Sequence, residues 1–317
     1  MDISELGEFG FLDRVRDWIG PSSATVGFGD DAAVADLSPG ASVVAAADAM
    51  VEDIHFRWAW SDPADVGWKA VSVNVSDLAA MGATPRWILV ALCVPPETGE
   101  ERLHGLYAGM DEACRAYGCE LVGGDTVRAD SVVVAVTALG EIAGDPLRRS
   151  GAKVGDVLAV TGLLGKPAAG LNLLIADDPG NGPDVPACVD AQRRPVARVA
   201  EGRALQRAGV HAALDLSDGL ASDARRLAEA SGVGVEIETI PIAPEVRRIA
   251  AARGWDAEAI ALAGGEDTEL LVALPPEDVD DVGCGLIPIG RVVDDGVWLV
   301  RDGTRVPLAD TGYDHFR

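Results

Sequence analysis

The chain has 317 residues, of which 48% are hydrophobic, enough for about two domains with real cores. A formal charge of −25, from 51 acids against 26 Lys and Arg, excludes the basic stripe that a nucleic-acid surface needs. No apolar run approaches the roughly 18 residues of a membrane span, the leading Met-Asp-Ile-Ser-Glu lacks a signal-peptide pattern, and five cysteines without a Cys-x-x-Cys pair suit reduced thiols, so a cytoplasmic protein is expected.

A short helix is expected over 11–19, followed by Val26-Gly-Phe-Gly-Asp-Asp-Ala-Ala33, a glycine-punctuated turn carrying Asp30 and Asp31. Ser42-Val-Val-Ala-Ala-Ala-Asp48 reads as a buried strand with an acid at its end. Trp68, Val71, Val75 and Leu78 recur at spacings of three and four, the apolar stripe of a helix that Gly82 ends. Asn74 and Asp77 share one flank of it, and Asp77 is a lone acid among small apolar residues. A strand over 87–94 stops at Pro95-Pro96, and a helix is expected over 97–117. Cys119-Glu-Leu-Val-Gly-Gly-Asp-Thr126 is a strand running into a Gly-Gly-Asp turn, and 131–140 is the strongest strand, β-branched and continuous.

The polar stretch 148–156 is the joint between two expected domains, 1–148 and 149–317. Beyond it the patterns give a strand over 157–161, a helix near 168–176, a surface loop over 177–190 and a helix over 196–208. Val210-His-Ala-Ala-Leu-Asp-Leu-Ser-Asp-Gly219 is a strand ending in Asp215 and Asp218. A helix over 220–231, a strand over 233–238 and the Gly-Gly-Glu266-Asp267 turn come next, then a further strand, short strands around 286–290 and 297–301, and a Gly312-Tyr-Asp-His-Phe316 tail. Strands and helices mix without strict alternation, so the fold class is α/β of α+β character, with mixed sheets.

Single Gly-Asp pairs are ordinary turns. Here they recur at strand and helix ends, and glycine beside an acid lets a backbone approach a ligand closely. Carboxylates gathered in one place repel and need cations, and all-oxygen ligands select hard ions such as Mg²⁺. Magnesium on carboxylates usually bridges substrate phosphates, which points to nucleotide chemistry. The familiar phosphate motifs are missing: Gly162-Leu-Leu-Gly-Lys-Pro167 has neither the spacing nor the Ser/Thr of a Walker A loop. His55 fits a structural or a substrate role equally, and Arg149 fits a phosphate or a surface acid.

Taken together, Gly-Glu-Phe-Gly, Gly-Phe-Gly-Asp-Asp-Ala, Trp68-Lys-Ala, Asn-Val-Ser-Asp-Leu-Ala-Ala-Met-Gly-Ala, Gly-Gly-Asp-Thr, Arg149-Ser-Gly-Ala, Asp-Leu-Ser-Asp-Gly-Leu, Gly-Gly-Glu-Asp and the Gly-Tyr-Asp-His-Phe tail resemble the thiamine-monophosphate kinases over essentially the whole chain. That family belongs with aminoimidazole ribonucleotide synthetase, selenophosphate synthetase and a hydrogenase maturation protein. The resemblance implies an N-terminal ATP- and metal-binding domain that dimerises through a β-barrel, and a C-terminal α/β domain. It implies in-line transfer of the γ-phosphoryl of ATP to thiamine monophosphate, assisted by several Mg²⁺ ions. By position, Asp31, Asp48, Asp77, Asp125, Asp215 and Asp218 would hold metal, with Asp30 contributing. Asp48, Asp77 and Asp125 would be the catalytic acids, and Gly124, Asp125, Arg149 and Ser217 would hold ATP. His55, Glu266 and Tyr313 would face the thiamine end, Tyr313 by stacking.

Two departures stand out. Ala46-Ala47 replace hydroxyl residues before Asp48, and Thr268 replaces a tyrosine, which would remove an aromatic near the substrate. Another ATP-dependent synthetase of the superfamily and a non-catalytic nucleotide-binding dimer remain as competing readings.

Overall fold

The computed structural model describes residues 2–28, 31–176, 180, 182–309 and 312. Its contacts divide into two compact units, Met1–Leu78 with Ala83–Gly144, and Ala79–Gly82 with Asp145–Arg317.

The first unit contains α1 (Ile3–Trp18), β1 (Ser42–Val51), α2 (Pro63–Ala80), β2 (Thr84–Val94), α3 (Glu100–Tyr117), β3 (Glu120–Arg128) and β4 (Val133–Ile142). An Asp2/Glu5 capping box starts α1 eight residues before the expected helix, and Gly7 at φ 69° kinks it. The strands form one sheet in the order β1-β4-β2-β3, with β2 and β3 parallel and the other pairs antiparallel. Among the described residues this sheet is open, with β1 and β3 at its edges and no closed barrel.

Val71, Val75 and Leu78 of α2 are fully buried, as the stripe predicts, together with Phe11, Leu106 and Met110. Helices α2 and α3 cross at glycines: a Cβ on Gly67 would lie 2.0 Å from the Leu106 carbonyl oxygen, and one on Gly109 would lie 1.9 Å from that of Ala64. The expectation of a buried strand over 42–48 is corrected. Among the described residues β1 pairs only with β4, and most of its residues are exposed. An apolar run of this length marks a strand but does not say whether the strand is central or at an edge.

The second unit contains β5 (Val157–Val160), α4 (Lys166–Ile175), α5 (Val185–Arg193), α6 (Val199–Ala208), β6 (Ala212–Asp215), α7 (Leu220–Ser231), β7 (Gly234–Ile237), α8 (Pro244–Arg253), α9 (Ala257–Ala263), β8 (Leu270–Leu274), β9 (Ile287–Val293), β10 (Val297–Arg301) and β11 (Thr304–Pro307). Its sheet runs β11-β10-β7-β9-β5-β8-β6, with β7 and β10 parallel and the rest antiparallel. Leu205, Leu270, Val272 and Leu274 sit in its core. Helix α5 occupies part of the expected 177–190 loop, because a proline in the first helical turn costs no hydrogen bond and reads like loop punctuation.

Candidate active site

In the first unit, the turn bearing Asp31 is closed by reciprocal hydrogen bonds between Val26 and Val34, at 3.0 and 2.8 Å. Two glutamates pin the flanking segment to the sheet. Ser22 Oγ and the Ser23 amide donate to Glu120 on β3, and the Ser38 amide and hydroxyl donate to Glu141 on β4. The Ser38 amide, chiefly, holds the Glu141 carboxyl below the usual range. Asp31 is exposed, and Asp30 lies outside the described residues.

Asn74, 1% exposed, ties two of the acid-bearing elements together. Its Nδ2 donates to the Ala70 carbonyl at 2.9 Å, which turns its Oδ1 outward to accept the Asp48 amide at 2.8 Å. The exposed Asp48 of β1 is thereby docked on the flank of α2 that carries the half-buried Asp77. Asn74 itself was not expected as a site residue, and only its place on the Asp77 flank hinted at it.

Asp125 follows an irregularity in the β2–β3 pairing, where Ile88 faces Leu121 but Leu89 faces Gly123. The residue skipped, Val122, is a bulge that re-aims the side chains after it. Gly124 is obligatory, because a Cβ there would lie 1.9 Å from the Val90 carbonyl oxygen. Asp125 is exposed, and its Oδ1 accepts the Thr126 amide at 2.8 Å.

His55 closes a turn after β1. Its amide donates to the Val51 carbonyl at 2.9 Å, and its Nδ1 accepts the Val51 amide at 3.0 Å. An Nδ1 that accepts carries no proton, so the neutral ring is protonated on Nε2 and presents a donor there.

In the second unit two acidic loops are hydrogen-bonded side by side. The Leu216 amide donates to the Glu269 carbonyl at 2.7 Å, the Glu266 amide to that of Ser217 at 2.8 Å, and the Thr268 amide to that of Leu216 at 3.1 Å. These bonds prolong the β6–β8 ladder past Asp215, which is 5% exposed, and Leu270. Glu266 and Thr268 hold φ of 60° and 51°, the left-handed region that non-glycine residues avoid. Such strain concentrates at functional sites.

The strained loop is fastened from several sides. The Gly165 amide donates to Asp267, Arg198 pairs in a fork with the buried Glu269, and Thr161 Oγ1 donates to Glu269 at 2.7 Å. Enclosure of the Asp267 carboxyl pushes its pKa up to about 8, with the Gly165 amide pulling the other way. Thr268 is buried, and its hydroxyl turns inward onto the Val196 and Asp267 carbonyls.

The loop over 217–219 aims three amides at one oxygen of Asp223, at 3.1, 3.1 and 3.2 Å. Burial lifts Asp223 to about 7, opposed first by Arg226, whose guanidinium pairs with both Asp223 and Asp218. Neither residue was expected. The readable signal for Asp223 is an acid in the first turn of α7, four residues after Gly219. Ser217 is exposed, and Gly312 lies against Ser222 and the Asp218 carbonyl, whereas Tyr313 is outside the described residues. Arg149 is exposed on the strap that precedes β5.

Among the described residues no three His, Cys, Asp or Glu side chains form a ready-made metal cage. The acids stand on separate elements, and their donor set is all oxygen, which fits a hard, partly hydrated cation. At Asp218 and Asp223 the Arg226 guanidinium already supplies positive charge.

Family models for the AIR synthase related protein N-terminal and C-terminal domains match residues 29–142 and 153–297. The thiamine-monophosphate kinase of Bacillus subtilis (strain 168) is 38% identical, over 93% of this chain and 95% of its own. The crystal structure of thiamine-monophosphate kinase from Stenotrophomonas maltophilia K279a superposes with a TM-score of 0.83 at 33% identity, covering 96% of this chain and 98% of that one. A structure of AaThiL complexed with AMPPCP and TMP gives 0.81 at 34% identity, covering 100% and 99%. With both halves matched in order and relatives aligned nearly end to end, this chain belongs to the thiamine-monophosphate kinase family of AIR synthase-related proteins.

Proposed function

We propose that the protein phosphorylates thiamine monophosphate with ATP, giving thiamine diphosphate and ADP. The observation that carries this reading is the near end-to-end likeness to a relative complexed with AMPPCP and TMP. The acceptor is a phosphate, already anionic at neutral pH, so the chain needs no strong general base and works by alignment and charge neutralisation.

In this reading Asp31, Asp48, Asp77, Asp125, Asp215 and Asp218, with Asp30, would hold Mg²⁺. Bound there, the ions supply charge neutralisation at the phosphate oxygens. Asn74 keeps Asp48 on the flank of Asp77, so those two acids do not drift apart as charge develops. Gly124, Asp125, Arg149 and Ser217 hold ATP, with Arg149 suited to a phosphate through its planar fork of donors. His55 offers Nε2–H to the substrate, Glu266 on its strained loop meets the thiamine cation, and Tyr313 stacks on its rings.

The chain divides into halves 1–148 and 149–317, and each carries carboxylates and nucleotide residues of this reading. The reading includes a homodimer. β1 is a long, apolar, largely exposed edge strand, the kind of surface that a second chain covers, and a barrel closed by two copies would bury it. Residence in the cytoplasm accords with five free cysteines and with the lack, among the described helices, of one long and apolar enough to cross a membrane.

A coupled assay for ADP release, run with Mg²⁺ and with or without thiamine monophosphate, tests the reading. Turnover that depends on the acceptor is expected. ADP release indifferent to it would point to a nucleotide-binding protein without this reaction.

A further inference from the structure

The turn Arg149-Ser150-Gly151-Ala152 is held from two sides. Ser231, the last residue of α7, donates its hydroxyl to the Arg149 carbonyl at 3.1 Å and accepts the Ala152 amide at 3.2 Å. One Oγ thus joins both ends of the turn, a task for a side chain that donates and accepts at the same atom.

On the other side the turn lies along β6. The Ala213 amide donates to the Arg148 carbonyl at 2.8 Å. Gly151, at φ +119°, comes so close that a Cβ would lie 2.4 Å from the His211 carbonyl oxygen. Beyond the turn, Lys153 Nζ lies 2.9 Å from His211 Nε2, and His211 Nδ1 lies 2.8 Å from Asp156, whose carboxylate also accepts the Lys153 amide. The backbone around Arg149 is therefore fixed at every flank, while Arg149 itself is exposed.

This is more restraint than a surface connection needs. A long cationic side chain meets a phosphate reproducibly only from a backbone that does not wander. Helix α7 also starts directly after the Asp215–Gly219 loop, so one 12-residue rod carries that acidic loop at its head and the clasp at its foot.

We infer that Ser231 is a positioning residue for the nucleotide: by holding the Arg149 carbonyl and the Ala152 amide, it fixes the backbone from which Arg149 reaches the phosphates of ATP. This rests on the assignment of Arg149 to ATP in the proposed function.

The test is calorimetric titration of AMPPCP with Mg²⁺ into the full chain and into Ser231→Ala, Ser231→Thr, Arg149→Ala and the double variant Arg149→Ala/Ser231→Ala, alongside steady-state kinetics. Ser231→Ala, which removes both hydrogen bonds of the clasp, is expected to weaken AMPPCP about fivefold and to raise the ATP KM in step. It should leave the thiamine monophosphate KM unchanged, and Ser231→Thr should restore binding. Arg149→Ala should weaken AMPPCP by about tenfold or more, as loss of a charged phosphate contact does. On that background Ser231→Ala should add nothing, because the two act through one contact. Wild-type affinity in Ser231→Ala together with weak binding in Arg149→Ala would overturn the positioning role alone. Fully additive losses in the double variant would also overturn it. Unchanged binding in Arg149→Ala would remove that residue from the ATP site, and the inference with it.

Discussion

Asp77 shows how one acid acquires a meaning from its neighbours. It sits half-buried on a helix whose inward face mixes apolar residues with Lys69, Ser72, Asn74 and Ser76, three residues from an asparagine that grips Asp48. Asp77→Asn keeps the shape and removes the charge, so turnover should be lost while the thermal unfolding midpoint holds or rises. A fully active, folded variant would show that Asp77 binds no metal. Asp267 makes a different prediction. Its folded-state pKa of about 8 stands above the ordinary 3.8, so between those values the folded protein keeps a proton that the unfolded chain releases. Stability therefore falls as pH rises through that window. Asp267→Asn, whose amide oxygen can still accept the Gly165 amide, should flatten the slope, read as unfolding midpoints at pH 5, 7 and 9. A slope as steep as the wild type's would assign it to other groups. Some of this was legible in the order of residues. The carboxylates announce themselves by type and by glycine neighbours, but the left-handed backbone at Glu266 and Thr268 does not, because neither is a glycine. Thr268 illustrates this: nothing in its residue type announces a buried threonine whose hydroxyl closes the loop from inside.

Elements were legible where the pattern was periodic and bounded by glycine or proline. Helix α2 and the strands β2 to β4 lie within a few residues of expectation, because a 3.6-residue stripe and β-branched runs leave little choice. Helices α8 and α9 fall in a stretch where Pro241, Pro244 and Gly254 interrupt every periodic run, and no element was read there. The contact that places α2 is not periodic either. Its backbone meets α3 through Gly67 and Gly109, residues whose value lies in lacking a side chain. Gly67→Ala should destabilise the protein by about 1–3 kcal/mol, the usual cost of overpacking, even though alanine favours a helix. Chemical denaturation measures this, and a neutral result would mean that the two helices separate without penalty. Because α2 carries Asp77, the ATP-dependent rate should fall as well, although no site residue is altered.

At the scale of the molecule the dominant quantity is charge. With −25 on 317 residues, the folded surface repels itself more than an unfolded chain does, and salt screens that repulsion over about 10 Å at 0.1 M. The thermal midpoint should therefore climb steadily from 10 mM to 1 M KCl, and a flat response would show that Arg–carboxylate pairs already balance the surface. Those pairs are numerous, including Arg248 with Asp184 and Arg291 with Glu236. The same composition leaves arginine to do nearly all cationic work. Sequence alone marked the acids by type, yet it could not show which elements are joined. Asp48 and Asn74 are 26 positions apart, and only the fold puts them in contact.

The clamp of Lys153, His211 and Asp156 has a practical consequence. Lysine occurs only at positions 69, 153 and 166. Lys69 is 3% exposed, and Lys166 is half-buried. An acylating reagent that seeks free amines therefore finds one well-presented lysine, and that amine is engaged by His211 whenever the strap is seated. The pace of its modification becomes a clock for how often that amine leaves His211. A mass-spectrometric footprint at a single residue would then report the opening of this contact beside Arg149 in solution, without a probe being introduced.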